Sequence, residues 1–141
     1  MPRISRTSVR FDVDGKTYLA SFSHQHFEPP KKVDGLKLKH ITKCSLYGDC
    51  SLRGNSALLA EGEARCSRKD VYTWLYGIRI AFDFAVIDHL CRDIEESEGD
   101  THKVWIAGKS YLIPGDKREL WGKFHKVFFT EMRKAPANGV G

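Results

Sequence analysis

Five residues carry most of the chemistry that the sequence suggests: Arg65, Arg68, Arg79, Asp116 and Arg118. Arg65 and Arg68 bracket the expected start of a long helix at Ser67. Free amides at a helix N-terminus already favour anions, so guanidinium groups beside them would hold a phosphate. Glu63 and Asp70 are the carboxylates that would otherwise neutralise them. Arg79 falls in the middle of the same helix, in an apolar stretch. A guanidinium there must pair or reach a ligand, because leaving it dry and unpaired is costly. Within the helix its natural partner is Asp83, four residues on. Asp116-Lys117-Arg118 opens a second helix. Cations are unfavourable at that end of a helix, and such a conflict with a local rule is typical of functional sites, although Asp116 also offsets it.

Other chemistries find less support. The chain contains no G-x-S-x-G, H-E-x-x-H, Walker A or G-x-G-x-x-G motif. No catalytic residue and no cofactor are therefore assigned. Cys44-x5-Cys50 lacks the tight paired spacing of a zinc knuckle. His24-x-His26 is expected to turn its two rings to opposite faces of a strand, which disfavours chelation, so no metal is assigned. His40-Ile41-Thr42 is a single H-x-T element, without the second copy that a two-histidine phosphoesterase would need. Cys44, Cys66 and Cys91 read as small core residues.

The totals bound the partners. A chain of 141 residues with 41% hydrophobic and 29% charged residues can bury a core as one domain. Lys plus Arg number 23 against 18 acidic residues, a net +5. That balance suits nucleic acid, a nucleotide or an acidic protein surface, and equally suits ordinary solubilising charge. No apolar run approaches the roughly 18 residues of a membrane span. No apolar segment of a secretory leader follows Met1-Pro2-Arg3, so a cytoplasmic protein is expected.

The elements that must position these residues read as α+β. Alternating Val9–Val13, the turn signal Asp14-Gly15 and Lys16–Phe22 predict a hairpin. Residues 28–35, with Pro29-Pro30, predict a loop. Leu36–Tyr47 and Leu58–Cys66 predict two further strands, with Gly62 at a bulge. The predicted architecture is an N-terminal antiparallel β-meander of about four strands over residues 8–66, packed by a helix over 67–93. A connector over 94–113, with a short hairpin around Ala107-Gly108, leads to a second helix over 114–134 and a tail over 135–141. Ser67 and Asp70 form an S-x-x-D capping signal for the first helix. Val71, Trp74, Leu75, Ile78, Phe82, Ala85, Val86 and His89 make one apolar stripe, while Tyr72, Tyr76, Ile80, Phe84 and Ile87 make most of the other side apolar. A helix apolar nearly all round is covered on more than one side, by the second helix or by another subunit. In the second helix Trp121, Phe124, Phe128 and Met132 predict the core stripe.

Glu63-Ala64-Arg65-Cys66, then Ser67, Asp70, Trp74, Gly77 and Arg79 on one helix, then Asp116, Arg118 and Trp121 on a final helix, together resemble a group of small phage-encoded proteins, the first family of anti-Thoeris proteins. The resemblance spans roughly residues 9–132. It implies a non-enzymatic, oligomeric sponge that binds cyclic ADP-ribose isomers, in some members cyclic oligonucleotides, and hides them from bacterial immune effectors. It implies phosphate clamping by Arg118 first and then Arg65, with Asp116 accepting from a ribose hydroxyl. Two other readings stand beside it: a protein-blocking inhibitor of the anti-CRISPR kind, and a nucleic-acid binder using the Lys37, Lys39, Lys43 face.

Overall fold

The computed structural model describes residues 3–33, 35–48, 57–67, 74–91 and 100–134. Strands β1 (Arg3–Val13), β2 (Lys16–Val33), β3 (Leu36–Gly48) and β4 (Ala57–Ser67) form an antiparallel sheet in the order β1-β2-β3-β4. Helix α1 (Trp74–Leu90), the hairpin β5 (Thr101–Ile106) and β6 (Lys109–Pro114), and helix α2 (Arg118–Lys134) follow, completing an α+β fold.

Both tight hairpins turn where the sequence places them. Asp14 and Gly15 have φ of 51° and 80°, and Ala107 and Gly108 have 51° and 82°. Two successive left-handed residues match the twist of the flanking strands. The alternation of β1 to β4 sends Phe11, Val13, Tyr18, Ala20, Phe22, Cys44, Leu46, Ala60 and Ala64 into the core. Two helices cover that face: α1 packs chiefly on β4 and β3, and α2 on β1. Phe11 ties the layers together, meeting Phe82 of α1 and Phe124 and Phe128 of α2 edge-on at 5.7–5.9 Å.

Several expectations are corrected. Residues 28–33 are strand, not loop. Pairing between β1 and β2 ends at Arg3 with His26, and the β2–β3 register breaks between His26 and Lys31. Pro29 and Pro30 therefore sit where no ladder hydrogen bond is required of them. Ser67 is not the first helical residue. It is the last residue of β4, opposite Leu38, and the helix is described from Trp74; Arg68, Asp70, Val71 and Tyr72 lie outside the described residues. Gly62 is not at a bulge but in regular register with Cys44. A Cβ there would stand 2.2 Å from the Ala81 carbonyl oxygen and 2.4 Å from the Ala85 nitrogen, so the glycine lets α1 lie directly on β4.

His24 and His26 do not face opposite ways. Residues two apart on a strand share a face, and here they line up with Thr42 and His40 across the β2–β3 pair.

Helix α1 is covered on two sides, as its composition requires. Ile78, Ala81, Phe82, Ala85, Val86 and Leu90 are buried. The β5–β6 hairpin covers part of the back, where Tyr111 meets Phe84 edge-on at 5.5 Å. Leu75, placed by the sequence in the core stripe, is instead exposed, as is Tyr76. Helix α2 is entered through Pro114 and a short 3-10 turn over Gly115–Lys117. Its first α-helical residue is Arg118.

Candidate functional site

The two helices both pack on the sheet and touch each other. Phe82 of α1 stacks on Phe128 of α2 with centroids 3.9 Å apart and planes 12° apart. Outward of that contact a cleft of about 680 Å³ opens between the helices and β5. Arg79 and Asp83 line it from α1, and Trp105 from β5. Trp121, His125, Lys126, Phe129, Thr130 and Arg133 line it from α2. The spacing explains the geometry. Trp121, His125, Phe129 and Arg133 are each four residues apart, as are Arg79 and Asp83, so each set forms one ladder along its helix.

One polar contact organises the cleft. His125 Nε2 hydrogen-bonds to Asp83 Oδ1 across the helix pair. His125 Nδ1 lies 2.8 Å from the Trp121 carbonyl oxygen, an atom that can only accept. Nδ1 therefore donates, and Nε2 faces a carboxylate. Asp83 is 6% exposed, so this contact is shielded from water. Trp121 lies against the imidazole with ring centroids 4.3 Å apart.

This pairing overturns the simplest expectation for Arg79. Asp83 is bonded to His125, and among the described residues Arg79 has no ion-pair partner. Arg79, Lys126 and Arg133 thus bring cationic groups to a cleft in which Asp83, the one carboxylate among its described lining residues, is already engaged. Trp105, Trp121 and Phe129 supply ring faces. Trp105 is 65% exposed, and Lys103 Nζ lies 5.9 Å from its ring centre. Such a set can fork onto phosphate oxygens and stack on a planar base. The reactive-looking groups are committed elsewhere: Thr130 Oγ1 donates to the Lys126 carbonyl at 2.7 Å, and both imidazole nitrogens are engaged.

Of the five residues singled out in the sequence, four are described, and of these Arg79 alone lines the cleft. Arg65 is on β4, where its Nε donates to Glu63 Oε2 at 2.8 Å with both side chains substantially exposed. Arg118 and Asp116 are exposed around the start of α2. Arg118 is three residues before Trp121, on the same side of the helix. Arg68 lies outside the described residues. Sequence reasoning missed His125, Trp105 and Phe129 as site residues and placed Trp121 in the core. The available signal was the four-residue ladder from Trp121 to Arg133. It was masked by the Phe124 and Phe128 stripe beside it, which is the true core face.

The other flagged groups fall outside the cleft. Lys43 pairs with Glu61 at 3.3 Å on the exposed side of the sheet. Cys44 is fully buried, and burial pushes its thiol far above the ordinary range. Cys91 is half-buried and also raised, by burial and then by Asp88. Among the described residues no helix is long and apolar enough to cross a membrane. Compared with protein-family models, with curated proteins and with solved structures, the chain matches none.

Proposed function

We propose that this protein binds and sequesters a small anionic nucleotide in the cleft between α1 and α2, without transforming it. One observation carries the reading: Arg79 stands without an ion-pair partner, among the described residues, in a cleft that also holds Lys126, Arg133, Trp105 and Trp121. Guanidinium groups bind phosphate bidentately, and indole faces stack on purines. The resemblance to anti-Thoeris sponges supplies the narrower class: cyclic ADP-ribose isomers, then cyclic oligonucleotides, held in the cytoplasm of a phage-infected cell by a homo-oligomer. In this reading Arg79 is the primary phosphate ligand. Arg118 and Asp116 extend the site along α2, and Arg65 and Arg68 are secondary.

The test is retention. The purified protein is incubated with cyclic ADP-ribose and cyclic dinucleotide standards, separated from free ligand, and heated. The expected result is depletion of one standard from solution, a raised melting temperature, and recovery of the intact molecule on denaturation. No depletion and no thermal shift with any standard would rule out the proposal.

A second reading, a protein-blocking inhibitor, draws support from Leu75 and Tyr76, which are 56% and 53% exposed at the start of α1. Exposed apolar side chains on adjacent residues suit a protein contact. The same surface would serve the homo-oligomer. A distinct protein co-eluting in place of nucleotide favours the inhibitor.

A further inference from the structure

The β2–β3 pair carries three histidines on one face, none of them lining the cleft. His26 and His40 are directly opposite each other in the register, and His24 faces Thr42 one step along. His26 Nδ1 and His40 Nδ1 are 3.2 Å apart. Their rings are inclined at 42° with centroids 4.6 Å apart. Both are half-buried.

We propose that His26 and His40 form a chelating site for a first-row transition-metal dication. Two nitrogens bound to one ion at 2.0–2.1 Å and the tetrahedral angle stand about 3.3–3.4 Å apart. The observed separation is close to that bite, so the rings need little rearrangement to share an ion. Imidazole nitrogen selects Zn²⁺, Cu²⁺, Ni²⁺ or Co²⁺ over Mg²⁺ or Ca²⁺, which prefer oxygen. Among the described residues no group of three or more histidines, cysteines or carboxylates forms a metal cluster. Among the described residues the site is therefore a two-histidine chelate.

His24 stands beside the pair on the same face. His24 is 9% exposed, and its Nδ1 lies 2.9 Å from Thr42 Oγ1. From the sequence alone His24 and His26 are expected on opposite faces, which disfavours a metal. The strand puts both on one side, and it is His26 with His40, fourteen residues apart, that make the pair.

The competing account is a plain N–H···N hydrogen bond between two neutral imidazoles. Chelator-stripped protein titrated with Co²⁺ and Zn²⁺ separates the two. The chelate predicts one ion per chain, with visible Co²⁺ absorption bands that Zn²⁺ displaces. His26→Ala and His40→Ala should each weaken binding by about tenfold or more, while His102→Ala leaves it unchanged. His26→Phe provides a variant that keeps an aromatic cross-strand pair and so preserves the sheet. The wild-type chain gives an independent reading. Saturating Zn²⁺ should protect the His26 and His40 peptides, but not His102, from histidine acylation followed by mass spectrometry. Equal affinity in His26→Phe and wild type, or protection no greater at His26 and His40 than at His102, overturns the proposal.

Discussion

Asp83 of α1 accepts a hydrogen bond from His125 of α2, and Arg79, one turn earlier on α1, is left facing the cleft. This relationship joins the stability of the molecule to its proposed site. The carboxylate that a helical reading assigns to Arg79 instead pins the two helices together. The guanidinium is thereby left without that carboxylate.

The first prediction concerns that pin. Asp83 is buried and His125 largely so. Removing either partner leaves a polar group in a poorly solvated place. Asp83→Asn and His125→Ala are each expected to destabilise the protein by about 1–3 kcal/mol. Urea denaturation checks this, and the double variant should lose clearly less than the sum of the singles. Strict additivity would show that the two side chains do not interact.

The second concerns ligand binding. The anti-Thoeris resemblance implies Arg118 first and then Arg65, whereas the cleft puts Arg79 first. Arg79→Ala should weaken nucleotide binding by about 1.5–3 kcal/mol, the range for hydrogen bonds to charged groups. Arg118→Ala should weaken it less, and Arg65→Ala hardly at all, because Arg65 pairs with Glu63 away from the cleft. Equilibrium binding to the retained nucleotide measures all three. A loss at Arg65 equal to that at Arg79 would move the site to β4.

The third tests the seating of α1. Gly62→Ala places a methyl group against the Ala81 carbonyl oxygen, the Ala85 nitrogen and the Phe84 Cβ at 2.2, 2.4 and 2.8 Å. Two of these are helix backbone and cannot rotate away. The cost should reach or exceed about 3 kcal/mol, the upper end of ordinary overpacking. Gly122→Ala is the control, since nothing lies within 4 Å of a Cβ there. It should be neutral or stabilising, because alanine has the higher helix propensity.

The fourth uses His24. Its folded pKa, about 4, lies below the ordinary 6.5. Between those values the unfolded chain binds a proton that the folded chain refuses, so stability rises with pH across this window. The contribution is complete above about pH 6.5, falls as the pH drops towards 4, and levels off below it. The full swing is of order 3 kcal/mol, from about 1.4 kcal/mol per pKa unit. His24→Gln, which can keep a hydrogen bond to Thr42, should flatten the dependence. Parallel slopes for variant and wild type between pH 4 and 6.5 would contradict the assignment.

Local patterns made much of the fold legible. Asp14-Gly15 and Ala107-Gly108 announce their turns because few dipeptides tolerate two left-handed residues in succession. The alternation in β3 names Thr42, Cys44 and Leu46 as inward-facing, and all three are buried. Less legible was Pro29-Pro30, whose loop signal is overridden where β1 no longer pairs with β2. Trp121 reads as core from its spacing to Phe124 and Phe128. Only the position of α1 reveals that it stands at the edge of that face, beside His125.

The sequence by itself determined the α+β class, the meander and its turns, the two helices and the supply of basic side chains. These follow from periodicity and backbone preference, which act over a few residues and are written in neighbouring positions. Tertiary structure alone decided which charges meet. The Asp83–His125 bond spans 42 positions and the His26–His40 approach spans 14. Neither leaves a trace in local spacing, because a side chain's partner depends on how whole elements dock. Gly62 shows the same division: the sequence marks an anomaly in a strand, and the helix lying on it supplies the reason.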